Sequence, residues 1–247
     1  MADADAVHSS ILNGAALFLD FDGTLVELAE TPASINVPAK LGHLLGALSE
    51  KLEGRVAIVS GRAIRDLQDH LDCSGVAIAG SHGLELLMPD GRRLCPEVPE
   101  RLAAARSELA AFAASTPGIL IEDKPFGVAA HYRQAPAEEA KVVALVRDLA
   151  ARTGMSLQRG KMVAELRPGG AHKGDAVRAL MREPVFAGGR PIFVGDDLTD
   201  EDAFSAAADL GGGGVLVGPA RATVARWRLR DVAAVARWLN DFAEQGQ

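Results

Sequence analysis

The chain has 247 residues, 48% of them hydrophobic and 24% charged, with a formal net charge of −7. Those values belong to a globular protein of one large domain or two small ones, and the acidic balance excludes a basic surface for nucleic acid. They do not exclude a phosphorylated ligand, because a bound cation reverses the local sign. No stretch approaches the length of a membrane span. Residues 1–14 lack the basic start and apolar run of a leader peptide, and the Asp-Ala repeat before Ser9 reads as disordered. Cys73 and Cys95 show no metal-ligand spacing, and a disulfide scaffold does not suit a chain this long. The expectation is a cytoplasmic protein with free thiols, no membrane partner and, by default, a monomer.

In chain order, Ala15 to Leu19 is a short apolar run that suits a buried strand and leads into Asp20-Phe21-Asp22-Gly23-Thr24-Leu25. Pro38 opens a predicted helix whose Leu41, Leu44, Leu45, Leu48 and Leu52 form one stripe, and Gly54 ends it. Val56 to Val59 is a second strand, followed by Ser60-Gly61-Arg62 and a helix to about Leu71. Val76 to Ala79 is a third, ending at Gly80-Ser81-His82-Gly83. This rhythm predicts right-handed βαβ units and a parallel sheet. Pro89-Asp90-Gly91 then marks a hairpin between Leu84–Met88 and Arg92–Leu94.

From Pro99 a helix is followed by strands at Leu120–Lys124 and Val128–Arg133. A second helix (Ala137–Thr153) is followed by strands at Met155–Arg159 and Met162–Arg167, joined through Gly160-Lys161 as a type II′ turn. Helix plus hairpin, twice over, is an α+β insert with an antiparallel sheet. The parallel rhythm resumes with a helix at Lys173–Met181 and a strand at Pro191–Val194. That strand leads to Asp196-Asp197-Leu198-Thr199-Asp200, then a helix to about Ala208 and a strand at Gly214–Val217. The Gly211–Gly214 run reads as a flexible connector. A helix at Val232–Ala243 closes the chain, with Trp238 and Leu239 on its core side. The predicted class is α/β: a Rossmann-like core of 1–93 and 170–247, interrupted by an α+β domain at 94–169, with hinges at Cys95-Pro96 and 168–170.

Asp20 and Asp22 fall at the carboxyl end of a parallel strand, where open α/β sheets bind ligands. With Gly23, which lets backbone N–H groups approach an anion, and the Thr24 hydroxyl, they compose a phosphate-and-metal site from chemistry alone. Ser60, Lys173 and the Asp196/Asp197/Asp200 cluster occupy the ends of other core strands or the helices beside them. Singly, each has a plainer reading. Ser60 reads as a helix N-cap, Lys173 as a solvated lysine (though a cation there opposes the helix dipole) and the acids as a capping cluster. Together, in this order, they point to phosphoryl transfer, which needs a nucleophile, charge neutralisation and a proton donor.

Asp-x-Asp-x-Thr and its three partners resemble the signature of the haloacid dehalogenase superfamily of phosphatases. The resemblance implies that Asp20 is the nucleophile and Asp22 the general acid/base. It also implies that Ser60 and Lys173 hold the phosphoryl oxygens. Mg²⁺ would be held by Asp20, the Asp22 carbonyl and Asp196, with Asp197 and Asp200 in support.

Nearly the whole chain resembles the trehalose-6-phosphate phosphatases, through Val59-Ser60-Gly61-Arg62, Gly80-Ser81-His82-Gly83-Leu84-Glu85, Glu122-Asp123-Lys124 and Gly195-Asp196-Asp197-Leu198-Thr199-Asp200-Glu201-Asp202. This implies a small-molecule sugar phosphate as the partner and a cap that closes over the core. Glu122, Lys124, His131, Arg133, Lys161 and Glu165 would meet the sugar hydroxyls, and Gly23, Thr24, Gly61, Arg62, His82 and Glu85 would complete the substrate site. Read from the residues alone, the strand pairs Glu122/Lys124 and His131/Arg133 each point to one side and serve equally as cross-strand ion pairs on a wet face. His82 serves equally as a plain loop residue. A phosphatase for sucrose 6-phosphate or a mannosyl phosphate, a non-catalytic sugar-phosphate sensor, and a receiver-like domain are the alternatives, the last ill-suited to the insert.

Overall fold

A computed structural model describes residues 7–29, 35–95, 100–160, 162–169 and 172–245. The chain divides into two compact units, 1–95 with 171–247, and 96–170. The readings made for residues 1–6, for Lys161 and for the hinge residues 96 and 170 lie outside the described residues.

The first unit is built on a sheet in the order β12-β11-β10-β1-β2-β3-β4-β5. At its centre β1 (Ala15–Leu19) pairs in parallel with β2 (Val56–Val59) and β10 (Arg190–Gly195). β3 (Ala77–Gly80) continues the parallel set beyond β2, and β11 (Gly213–Val217) and β12 (Trp227–Leu229) continue it beyond β10. The predicted hairpin, β4 (Glu85–Leu87) and β5 (Arg93–Leu94), extends this same sheet as an antiparallel edge.

All five residues of β1 are buried, so both faces of the sheet are covered. Leu17 and Leu19 pack with Leu45 and Leu48 of α1 (Leu41–Lys51), Leu67 of α2 (Ile64–His70) and Trp238, Leu239 and Phe242 of α7 (Val232–Glu244). Ala16 and Phe18, on the alternate face, pack with Val177 and Leu180 of α5 (Lys173–Leu180) and Phe204 of α6 (Glu201–Asp209). Each such valine, leucine or phenylalanine stabilises the fold by about 1.5–3 kcal/mol on leaving water.

The glycine run corrects the sequence reading. Gly213 and Gly214 lie inside β11, and a Cβ at Gly214 would meet the Phe204 ring at 2.4 Å. At Gly212 it would lie 1.7 Å from the Pro191 carbonyl oxygen. These glycines are a close-packing device rather than a connector. β12 escaped the sequence reading altogether, because Trp-Arg-Leu is too short to show a period.

The second unit is a four-stranded antiparallel sheet in the order β6-β7-β9-β8. Its strands are β6 (Leu120–Lys124), β7 (Gly127–His131), β8 (Ser156–Gly160) and β9 (Val163–Arg167). Val128, Ala130, Ala164 and Leu166 bury one face against Leu102 and Leu109 of α3 (Arg101–Ser115) and Val142, Val146 and Leu149 of α4 (Glu139–Thr153). The turn between β8 and β9 is not the one predicted. Gly160 pairs with Val163 as the last residue of its strand, and Met162 takes the positive φ of 65°. β7 likewise stops at His131. The Ala135 N–H bonds back to the Tyr132 carbonyl ahead of Pro136, which leaves Arg133 in an exposed turn rather than on the strand face beside His131.

Candidate active site

Three adjacent parallel strands, β2, β1 and β10, lead directly into Ser60, Asp20 and Asp196. Asp20 keeps strand register for one more residue, its N–H bonding the Val194 carbonyl at 2.9 Å. The chain then coils, with the Leu25 and Val26 N–H groups both on the Phe21 carbonyl and the Gly23 N–H on that of Val26. Gly23 has φ +78°, and a Cβ there would fall 2.3 Å from Asp196 Oδ2. The glycine of the first motif is therefore what admits the acid of the fourth.

Lys173, the first residue of α5, donates from Nζ to Asp20 Oδ1 at 2.8 Å and to Asp200 Oδ1 at 2.7 Å. The exposures of Lys173, Asp20 and Asp200 are 4%, 4% and 0%, so this bridge is shielded from water. Asp200 is fixed at its other oxygen too, Oδ2 accepting the Asp197 N–H at 2.9 Å. Asp20, Asp196 and Asp200 offer ligand oxygens all within 4.8 Å of one another.

One lysine does not balance three carboxylates, two of them buried and the third half-buried. Burial pushes the Asp20 carboxyl up to about 8, with Lys173 opposing and Asp200 adding to the rise. Asp196 is raised to about 6 by burial and then by Asp200. Burial works against the Lys173 ammonium, yet the two aspartates more than offset this and hold it above the usual lysine range. Asp196 Oδ1 is buried with no hydrogen-bond partner among the described residues. A hard divalent cation takes such oxygen donors and would relieve the repulsion. The donor set fits.

Asp22, by contrast, faces Arg62. The guanidinium grips both carboxylate oxygens, Nε to Oδ2 at 2.7 Å and Nη2 to Oδ1 at 2.9 Å, while Nη1 bonds Asp66 Oδ2 at 2.7 Å. The bonds to Asp22 lead the effects that raise the Arg62 pKa, with burial opposing. Ser60, 1% exposed, accepts the Arg62 N–H on its Oγ at 3.1 Å. Thr24 Oγ1 is fully enclosed and has no hydrogen-bond partner among the described residues.

Beside this loop Ser81 and His82 both adopt left-handed backbone, φ 51° and 60°. Such strain persists only where surroundings over-determine it. Here the Ser81 and His82 N–H groups bond the Arg62 and Ser60 carbonyls. Glu85 Oε1 takes both the Ser81 hydroxyl and the Ile64 N–H. The His82 ring lies against Gly61, where a Cβ would meet it at 2.7 Å. Glu85 and His82 thus brace the Ser60–Arg62 turn.

The second unit carries its own polar array on the sheet face away from the helices. Strand register aligns Glu122, Ala129, Glu165 and Gln158 in one row across all four strands. Glu122 bonds His131 Nε2 at 2.8 Å, and Lys124 Nζ bonds Glu165 Oε2 at 2.9 Å. Arg167 donates to Gln158 Oε1. Burial lowers the Arg167 pKa, with Glu165 opposing.

The trehalose-phosphatase family model matches residues 18–232. A probable trehalose-phosphate phosphatase of Sinorhizobium fredii is 44% identical over 213 residues, covering 85% of this chain and 80% of that protein. The trehalose-6-phosphate phosphatase of Escherichia coli is 38% identical over 226 residues, covering 91% and 85%. A solved structure of a trehalose-6-phosphate phosphatase related protein superposes with a TM-score of 0.76 at 26% identity, over 93% of this chain and 97% of that one. The chain belongs to the trehalose-phosphatase family.

For a trehalose-phosphatase family member the structure gathers Asp20, Lys173, Asp196 and Asp200 into one largely buried cluster, and Asp22, Ser60 and Arg62 into a second, joined to it through the first motif. Asp197 contributes its main chain to Asp200 and caps the short turn that follows. Sequence reasoning missed Asp66, Gln158 and Arg167. Arg167 was within reach, two residues after Glu165 on one predicted strand, but Gln158 needed the pairing of β8 with β9. Among the described residues no helix is long and apolar enough to cross a membrane.

Proposed function

We propose that this chain hydrolyses trehalose 6-phosphate to trehalose and phosphate, with Mg²⁺, in the cytoplasm. The observation that carries the reading is the Asp20–Lys173–Asp200 bridge beside Asp196, at the ends of adjacent parallel strands. Asp20, Asp196 and the Asp22 main-chain carbonyl would hold the ion, which when bound neutralises charge on the phosphoryl oxygens.

Asp20 attacks phosphorus in line and forms an aspartyl-phosphate as the ester P–O bond breaks. Asp22 gives its proton to the departing sugar oxygen and later takes one from the water that cleaves the intermediate. Asp22 is bound to Arg62 on both oxygens, so the acid acts only once substrate loosens that grip. Lys173, already charged and placed, holds a phosphoryl oxygen together with the Ser60 hydroxyl. The unit at 94–169 supplies sugar recognition: Glu122, Lys124, His131 and Glu165 exchange their mutual hydrogen bonds for sugar hydroxyls.

Phosphate release from trehalose 6-phosphate, sucrose 6-phosphate, a mannosyl phosphate and glucose 6-phosphate, with and without EDTA, tests this. Trehalose 6-phosphate should lead the panel, lose turnover in EDTA and regain it on Mg²⁺ addition. Preference for another ester, or turnover that survives EDTA, overturns it.

A further inference from the structure

Loop residues far along the chain reach back to the segment that carries Asp196, Asp197 and Asp200. Arg221 lies between β11 and β12, with its side chain 24% exposed. Its Nη2 donates to the Asp197 carbonyl at 2.8 Å and, more weakly, to the Asp196 carbonyl at 3.4 Å. Its Nη1 donates to Glu201 Oε1, at the first residue of α6. Glu201 returns the connection through Oε2, which accepts the Val224 N–H at 2.9 Å and the Thr223 hydroxyl at 3.2 Å. The 221–224 loop and the 196–201 segment are thereby strapped in both directions.

Asp200 is held by its own carboxylate, between Lys173 and the Asp197 N–H. Asp196 differs, because its Oδ1 has no partner among the described residues. The aim of that carboxylate is set by its bond to Asp20 and by its main chain, which Arg221 grips at two successive carbonyls. We propose that Arg221 is a positioning residue for the divalent-cation site, acting through the Asp196–Asp197 backbone without touching the ion. The proposal rests on the cation reading above.

Electrostatics alone would predict the opposite effect. Removing a guanidinium near an acidic cluster strengthens the field that attracts a cation. Arg221→Ala leaves Glu201 unpaired and adds one negative charge near the acidic cluster, so a loss of cation binding would run against the field and report geometry.

The test uses the full chain, stripped of metal and without substrate, titrated with Mn²⁺ while free Mn²⁺ is followed by electron paramagnetic resonance. Arg221→Ala should weaken binding roughly ten-fold or more, as for other residues that orient metal ligands. Arg221→Lys should recover only part of the loss, since one ammonium cannot serve both Glu201 and the carbonyls. Raising Mg²⁺ should restore much of the phosphate release of Arg221→Ala. Arg221→Ala combined with Glu201→Gln, which removes the strap without changing net charge, should weaken Mn²⁺ binding in the same direction and carries the test if Arg221→Ala does not fold. Variants that bind Mn²⁺ as tightly as the parent, or more tightly, would overturn the role of Arg221. A parent chain that binds no Mn²⁺ would overturn the cation site itself.

Discussion

The two units bear charge in opposite ways. In the first, a parallel sheet is covered on both faces, and its central charges, Asp20, Lys173 and Asp200, are enclosed where water cannot replace a lost partner. In the second, the sheet is covered by helices on one face, and the pair Glu122–His131 on the other keeps 45% and 39% side-chain exposure. An enclosed charge that loses its partner keeps its full desolvation cost, whereas a half-exposed one turns to solvent. The first arrangement suits groups that must hold one ionisation state and one position. The second suits groups that trade partners when a ligand arrives.

The sharpest way to break this contrast is Asp20→Asn. Turnover should fall to assay background, because the amide cannot form an acyl phosphate. The protein should stay folded and, in EDTA, be no less stable than the parent. A carboxyl raised in the folded state to about 8 from 3.8 binds its proton more tightly when folded. Its contribution to stability is therefore lost as pH climbs through that window, and Asn is exempt from the loss. Turnover at parental rates would remove Asp20 as nucleophile, and a large loss of stability in urea would contradict the electrostatic account.

Lys173→Met should come next. It keeps most of the volume but leaves Asp200 in the core without a cation, beside an Asp20 that burial already keeps protonated. A cost of about 3–5 kcal/mol in urea unfolding at neutral pH is expected, together with loss of activity. Adding Asp200→Asn should return part of that stability, since the stranded Asp200 charge is then gone. A double variant no better than the single would show that packing, not charge, governs the site.

Glu165→Ala probes the second unit, where the effect should be selective rather than global. Lys124 loses a partner but is itself 29% exposed, so the fold should lose less than about 1 kcal/mol. A charged group that bonds sugar hydroxyls is worth about 1.5–3 kcal/mol. The kcat/KM for trehalose 6-phosphate should therefore fall by about ten-fold or more, and that for 4-nitrophenyl phosphate far less. Equal losses on both substrates would take this sheet face out of recognition.

What the sequence made legible follows the same divide. The first unit announces itself because apolar strands buried on both faces read as unbroken runs, each ending in a residue with chemistry: Leu19 before Asp20, Val59 before Ser60, Gly195 before Asp196. The partnerships between those residues were not legible. That Arg62 clasps Asp22, that Gly23 makes room for Asp196 and that Lys173 divides itself between Asp20 and Asp200 depend on distances between segments up to 170 residues or so apart. In the second unit the helix-hairpin repeat was clear, yet strand ends moved. Tyr132 turns the chain before Arg133, and Gly160 completes its strand instead of starting the turn, because edge pairing and a following Pro136 outweigh local propensity. Gly211–Gly214 misled for a related reason. Composition cannot distinguish glycine that loosens a chain from glycine that lets Phe204 and Pro191 pack against it.

The smallest expected effect sharpens the comparison from its other side. Arg152 on α4 holds Glu108 on α3 with two bonds, at 2.8 and 2.9 Å, and Asp148 one turn back at 2.8 Å. By bond count it rivals Lys173, but its side chain is 51% exposed and so are large parts of both partners. Water and salt screen such pairs, and ordering the long side chain offsets most of what remains. Arg152→Ala should shift Tm by no more than about 2 °C and leave phosphate release unchanged, with the shift shrinking further in high salt. A drop as large as that of Lys173→Met would mean that the number of bonds, and not their enclosure, sets the worth of a charge in this protein.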